Sequence, residues 1–415
     1  MTGRRRRILY VVAETWPTHR VDVSTLFGQE LPKLGVCSDL IAGSVDHPAA
    51  EWGGGCANLA TLKGGMARQY LRSFWHILMA LLRADWDIYD AVQVRDLPLP
   101  ATVALLLARV HRKPFVYWMS YPMPEGQIQL AAERGMDAGV VRFLFPWIRG
   151  RVGRFLLYRV VLPRAHHIFV QSEFMKQDLI DKGIPSSRMT PVPMGVDMER
   201  IAPAPVDEII QRRLRDRRVL LYLGQLDRAR RVEKLFEMLT AVRRRVPSAV
   251  LLMVGDTDDV SQQQRLRRLA EEAGVGDHVI WTGWVPIEEA WGYVALSDIG
   301  LSPIPRGALL DCSSPTKIVE YLALGLIVVC NDNPDQAAIM AATGAGRCVA
   351  YHAEAFSDAV VELLDMPIHE RGQLIRAGQE WVLNNRDYQK IAATVAHAYD
   401  AVCDSQRPMP VVEPS

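Results

Sequence analysis

The sequence predicts an α/β protein of two domains, each a parallel sheet covered by helices. Three observations carry this. Short apolar runs alternate with helix-length amphipathic segments along nearly all of the 415 residues. That length exceeds what one hydrophobic core ordinarily fills. A Pro/Ala-rich stretch ending at Pro205 interrupts the alternation near its middle and reads as a hinge. The domains are therefore placed at 1–199 and 200–385, with a last helical segment at 386–405 and a flexible tail at 406–415.

In the first half, Ile8 to Ala13 is a buried-strand run, Glu14 to Val23 a loop, Ser24 to Leu34 a helix and Cys37 to Ala42 the next strand. Such a βαβ opening predicts ligands at the carboxyl ends of the strands. Further strands are expected at Tyr89 to Val94, Phe115 to Met119 and His167 to Gln171, with a helix from Pro98 to His111. Ser172 suits the cap of a helix running to Lys182, and Tyr117, Trp118 and Tyr121 suit a core. In the second half, Val219 to Leu223 is a strand and Gly224 permits a tight turn. The helix after it shows Leu235, Phe236, Leu239 and Val242 at helical spacing. Strands at Ala249 to Gly255 and His278 to Thr282 alternate with a helix at Gln262 to Ala273. Helices at Ala353 to Leu364, Glu370 to Leu383 and Asp387 to Val402 close the chain.

Composition excludes several classes. No apolar run approaches the roughly 18–20 residues that cross a bilayer, and the start lacks the apolar length of a secretory signal. The six cysteines are scattered without CxxC pairs or His/Cys clusters, which favours reduced thiols over a zinc site. The net charge of +1 conceals a basic first half and an acidic second half. Between Asp137 and Glu173 no acid occurs, while Arg142, Arg149, Arg151, Arg154, Arg159 and Arg164 alternate with Phe143, Leu144, Phe145, Trp147, Ile148 and Phe155. A basic-aromatic segment of this kind, 142–164, suits an anionic membrane interface, with a domain-surface helix as the alternative. No nucleic-acid recognition motif accompanies it.

The segment from Asp311 to Gly325 carries the chemistry. Ser314 suits an N-cap, Pro315 the first helical position and Gly325 the left-handed stop. The first turn, Thr316 and Lys317, leaves backbone N–H groups for an anion. Glu320 lies one to two turns further in, placed to accept hydrogen bonds from a diol such as ribose.

"SSPTKIVEYLALGLIVVCND" resembles the acidic-motif helix of retaining family-4 glycosyltransferases, whose usual form is E-x7-E. Glu320 matches the second Glu; the first is replaced by Cys312, with Asp311 one residue off register. "VPMGVD", "LGQLDRARR" and "TGWVPIEEAWGYVALSDIGLSPIP" match further motifs in order, so the resemblance spans roughly residues 7 to 403. It implies a GT-B fold: two Rossmann-like domains facing across a cleft, with the C-terminal helix crossing back to the N-terminal domain. The implied activity is metal-independent, retaining transfer from a UDP- or GDP-sugar to a glycan or polyprenyl-linked acceptor, with no cofactor. A cytoplasmic enzyme, peripheral on the inner membrane face, fits that role in cell-surface polysaccharide synthesis.

Carried over residue by residue, the resemblance assigns the donor diphosphate to Arg230, with Arg231 compensating for the family cation absent at Gln225. Donor contacts fall to Glu320, Thr316, Lys317, Ser314, Pro315, Gly224, Asp311 and Asp256, and to main chain near Val285 for the base. On the acceptor side stand His19, Arg20, Arg95 and Asp96. Ser120 takes the place where relatives carry a histidine beside the reaction centre. Two alternatives remain: a catalytically silent scaffold, favoured by the departures at Cys312, Gln225 and Ser120, and a sugar-nucleotide 2-epimerase on the same fold.

Overall fold

The computed structural model describes residues 5–18, 20–44, 51–135 and 139–405. Two compact units emerge. One takes the chain up to Pro193 and again from Tyr388 onward; the other is Met194–Asp387. The boundaries thus fall six residues before and two after the expected ones, because the linker from Met194 and Arg386–Asp387 are bonded into the second unit.

In the first unit the parallel strands are β1 (Arg6–Trp16), β2 (Val36–Ser44), β3 (Ala57–Thr61), β4 (Ala91–Arg95), β5 (Phe115–Met119), β6 (His167–Val170) and β7 (Met189–Pro191), ordered 3-2-1-4-5-6-7. Every residue of β4 and β5 is buried, as expected of strands covered on both faces. Tyr117 and Trp118 are core residues, each 1% exposed. β1 runs past its predicted end to Trp16, still pairing with β2 after an irregularity between Val11 and Thr15. What reads as loop and α-helix after it is a π-helical segment, Asp22–Glu30, followed by one turn at Leu31–Lys33. The strand order reverses between β1 and β4, which makes their carboxyl ends the natural ligand crevice.

The C-terminal helix Tyr388–Asp404 belongs to this unit. Tyr388, Ile391, Val395 and Tyr399 enter the core formed by Tyr10, Phe27, Trp118 and Phe169. The Tyr399 hydroxyl donates to Gln93 Oε1 of β4 at 2.6 Å. Arg6, buried at the start of β1, pairs with Asp400 (2.9 Å) and Asp404 (2.7 Å). The guanidinium is buried while both aspartates are about half-exposed, so losing them takes two partners from a buried charge, and the contacts fix where the helix end docks.

In the second unit β8 (Arg218–Leu223), β9 (Ala249–Val254), β10 (Val279–Gly283), β11 (Ile299–Ser302), β12 (Val328–Asn331) and β13 (Gly346–Val349) repeat the pattern in order 10-9-8-11-12-13, all parallel. The switch point lies between β8 and β11. Helices Lys234–Arg245 and Ala353–Asp365 supply one core layer, and Thr316–Ala323 part of the other.

Ser314 differs from expectation. Pro315 is the N-cap of helix Thr316–Ala323 and no side chain caps it. The Ser314 hydroxyl instead donates to Asp335 Oδ2 (2.7 Å) and accepts from Met194 N–H (3.0 Å) and Arg386 Nη1 (3.0 Å). Arg386 pairs with Asp335 (2.7 Å) and donates to Met194 O (3.2 Å), and Val196 bridges to Asp387. Ser314 therefore ties the two ends of the unit together, and its hydroxyl is spent before any donor arrives.

Two outcomes follow for urea denaturation. Tyr399→Phe leaves Gln93 Oε1 without its donor and lowers stability by about 1–3 kcal/mol. Ser314→Ala strands Met194 N–H and lowers stability by a similar ~1–3 kcal/mol, with nucleotide affinity of the folded protein unchanged.

Candidate functional site

Three glycines form the carboxyl-end lip of the second sheet. Gly224, Gly255 and Gly283 follow or end β8, β9 and β10, with φ of 140°, 122° and 71°. Gly224 N–H donates to Val254 O (2.9 Å) and Gly255 N–H to Gly283 O (3.2 Å). A β-carbon on Gly255 would stand 2.3 Å from Gly224 O, so side chains are excluded there. Asp256 is turned to local work: its Oδ1 accepts from Thr257 N–H (2.8 Å) and Gln263 Nε2 (2.7 Å). Val285 is half-buried against the second core, and its neighbour Trp284 is 58% exposed.

Helix Thr316–Ala323 is set against this lip by Tyr321. The Tyr321 ring lies over Gly300 of β11, where an added β-carbon would come within 2.5 Å of it. Its hydroxyl accepts from Leu223 N–H at 2.8 Å, the last residue of β8. At the far end Leu326 N–H donates to Tyr321 O (2.8 Å) and Gly325 N–H to Leu322 O (3.1 Å), with Gly325 at φ 78°. This Schellman stop is the one expected of Gly325.

The helix delivers Lys317 to the turn after β8. Its Nζ lies 4.1 Å from the Tyr222 ring centroid and 3.4 Å from where a Gly224 β-carbon would be. Burial and the nearby Arg230 charge together lower its pKa to about 7, with Glu320 opposing both. Arg230 is half-buried at the end of the short turn Arg228–Arg230. Among the described residues neither cation has an ion-pair partner. Arg231 is exposed with left-handed φ of 47°, in electrostatic reach of Tyr351 rather than Tyr222. Lys317 Nζ thus lies beside the turn that carries Gln225, while Arg231 is exposed. Burial raises the Glu320 carboxyl to about 7, against the pull of Lys317 and of the Trp291 indole.

Asp311 is already engaged. Arg306 grips it through Nε (2.8 Å) and Nη2 (3.2 Å), Gly307 N–H adds a third bond at 3.3 Å, and Arg306 also meets Asp332 at 2.8 Å. The carboxylate one residue off register from the missing Glu is thus an anchor for Arg306, a partner the motif comparison did not contain.

The acceptor-side residues of the first unit form a buried charge cluster. Arg95, 0% exposed, ends β4 and pairs with Asp22 Oδ2 (2.7 Å) and Glu14 Oε1 (3.0 Å), and its guanidinium lies 6.0 Å from the Trp118 ring. Asp96 follows at φ 54° and accepts from Ser120 N–H (2.9 Å) and from the Ser120 hydroxyl. Burial raises the Asp96 carboxyl to about 6, against the attraction of Arg95. Ser120 is buried and its hydroxyl donates to Asp96, which holds the two strand ends together. Arg95 likewise faces inward. Arg20 is exposed, 3.7 Å from Glu14; His19 lies outside the described residues. Glu14 and Asp22 were missed, although acids bracketing the loop after β1 are the obvious partners for an arginine ending the adjacent β4.

Known proteins match this architecture. The family description Glycosyltransferase Family 4 matches residues 24–200, and Glycosyl transferases group 1 matches residues 206–381. The GDP-mannose-dependent alpha-(1-6)-phosphatidylinositol monomannoside mannosyltransferase of Mycolicibacterium smegmatis is 30% identical over 218 residues, 51% of this chain and 56% of that protein. The match therefore spans about half the length of that relative. The sucrose-phosphate synthase of Thermosynechococcus elongatus superposes with a TM-score of 0.72 at 17% identity, covering 97% of this chain and 100% of that one. Anabaena HepE in complex with UDP superposes at 0.67 and 14% identity, covering 95% and 100%. The strand orders, the glycine lip with its acidic-motif helix and these matches agree, and the chain belongs to the family-4, group 1 glycosyltransferases of the GT-B fold.

Proposed function

We propose that the protein is a metal-independent, retaining glycosyltransferase that moves a sugar from a nucleoside-diphosphate sugar to a glycan or lipid-linked acceptor. The observation that supports this most is a pair of half-buried cations, Arg230 and Lys317, at the end of β8 beside the first turn of helix Thr316–Ala323. Cations held without counter-charge in a poorly hydrated site are suited to a developing anion. In the reaction the bond from anomeric carbon to phosphate oxygen breaks and the diphosphate leaves with the electron pair. The acceptor hydroxyl adds on the same face, and its proton passes to the leaving phosphate oxygen. Arg230 meets the charge as it grows, Thr316 and Lys317 N–H groups add the helix-start field, and Glu320 accepts from the ribose hydroxyls. Pro315 keeps the first turn free of a competing side-chain cap.

The mycobacterial relative acts with GDP-mannose on a phosphatidylinositol mannoside, which makes GDP-mannose with a lipid-linked mannoside the first pair to assay. UDP-sugars and soluble glycans follow. Two helices support a membrane-bound acceptor. Val140–Phe155 exposes Leu144, Trp147, Ile148, Val152 and Phe155 beside Arg142, Arg151 and Arg154. Met66–Arg83, which the basic-aromatic segment alone did not reveal, exposes Leu71, Trp75 and Leu82 beside Arg68 and Arg72. The helices touch through Tyr70, edge-on to Phe145 (6.1 Å) and under Arg149 (4.3 Å). Further along, Leu157 and Val161 turn into the core, so the membrane-facing stretch is shorter than 142–164. No described helix is long and apolar enough to cross a membrane. A peripheral site on an anionic inner leaflet is the proposed location.

Radiolabelled transfer from GDP- and UDP-sugars tests the whole reading. Nucleotide release with acceptor supports it; a protein that binds donor but never releases nucleotide is the scaffold, and a C2-inverted sugar nucleotide without acceptor is the epimerase. Arg230→Ala lowers kcat at least tenfold while changing donor affinity less, an effect of roughly 1.4 kcal/mol or more confined to the transition state. Trp75→Glu with Trp147→Glu reduces sedimentation with anionic vesicles roughly tenfold, and added salt reduces wild-type binding.

A further inference from the structure

We propose that the Lys317 side chain supplies the cation this chain lacks at Gln225, and that seating the donor diphosphate draws a solvent proton onto Lys317 Nζ. The inference rests on the donor-site reading of the second unit. Family relatives are expected to place a basic residue just after the glycine of the β8 turn. Here that residue is Gln225, exposed, with its carbonyl accepting from the Tyr222 hydroxyl at 3.0 Å. Lys317 arrives from a different element and reaches the turn that carries Gln225, 3.4 Å from the position of a Gly224 β-carbon.

Its surroundings decide its charge. Below lies the Tyr222 ring; beside it is Arg230, a like charge. From its own helix Glu320 faces it, itself pushed up to about 7 by burial. Tyr321 is occupied with Leu223 N–H. Asp227 accepts from the Thr257 hydroxyl at 2.7 Å, and Tyr351 lies toward Arg231. Among the described residues neither cation has an ion-pair partner, so without a donor the ammonium releases its proton near neutrality, at about 7. A diphosphate diester supplies the missing negative charge and favours the protonated form. The step forms one N–H bond from a solvent proton and breaks none in the donor. The sign is then set: affinity is flat below the free-site value and falls above it, by up to about tenfold per pH unit, because binding must be accompanied by protonation. Glu320 acts in the opposite sense, since rising pH frees its carboxylate for the ribose, and an arginine at 317 separates the two.

Isothermal titration of the full chain with GDP-mannose and with UDP-glucose, in phosphate and in Tris, reads the proton directly. At pH 7 the wild type is expected to take up on the order of half a proton more than Lys317→Arg, with donor affinity falling roughly tenfold between pH 7 and 8.5. Lys317→Arg is expected to bind as well at pH 7, without that additional uptake and without that fall. Lys317→Gln is expected to lose roughly tenfold in affinity at pH 6.5, with an unchanged melting profile confirming its fold. Equal proton exchange in the wild type and in Lys317→Arg, or a wild-type affinity that does not fall above pH 7, overturns this inference alone. Failure of the wild type to bind either donor overturns the donor-site reading as well.

Discussion

The site in the second unit depends on one hydrogen bond, from Leu223 N–H to the Tyr321 hydroxyl. Leu223 is where β8 runs out of partners and turns through Gly224; Tyr321 is one helical turn from Lys317. A phenol long enough to span the sheet end fixes the helix to the turn, and the absence of a side chain at Gly300 lets its ring lie flat enough to reach. With that distance set, the i, i+3 and i, i+4 geometry of the helix places Glu320 and Lys317 without further adjustment. The charge properties of the site follow from where the backbone was pinned.

A parallel design operates in the first unit with the opposite polarity. There a single buried guanidinium, Arg95, gathers Glu14 and Asp22 around the end of β4, and Asp96 then folds Ser120 inward. Such a cluster is costly to desolvate and costly to break, which makes it a device for holding three loop starts in register. In both units the switch point carries the polar chemistry. In one the charges pair with one another; in the other Lys317 and Arg230 have no ion-pair partner among the described residues.

Much of this was readable beforehand. The strands at 115–119 and 219–223, the helix at 98–110 and the Gly325 stop appear within a residue of expectation, because each is fixed by local pattern: continuous apolar runs, a proline start, a left-handed glycine. What local pattern cannot carry is partnership. Ser314 has every feature of a cap, yet three partners distant in sequence compete for its hydroxyl and win. Asp311 looked free to replace a lost Glu until Arg306 took both its oxygens. Arg231 stands closer in sequence to the gap at Gln225 than Lys317 does, yet it is exposed on a left-handed backbone while Lys317 lies over Tyr222. Motif comparison assigns positions; only packing assigns reach.

The glycine lip has a consequence of its own. Where β8, β9 and β10 end, the wall is main chain, and a side chain at Gly255 is barred by the neighbouring carbonyl. Amide groups present the same donors and acceptors whatever the codon, so this rim resists retuning by point mutation. A change in what this edge accepts would have to be built from outside it, through exposed side chains such as Trp284. Adaptation is accordingly confined to such neighbours, while the rim keeps its shape.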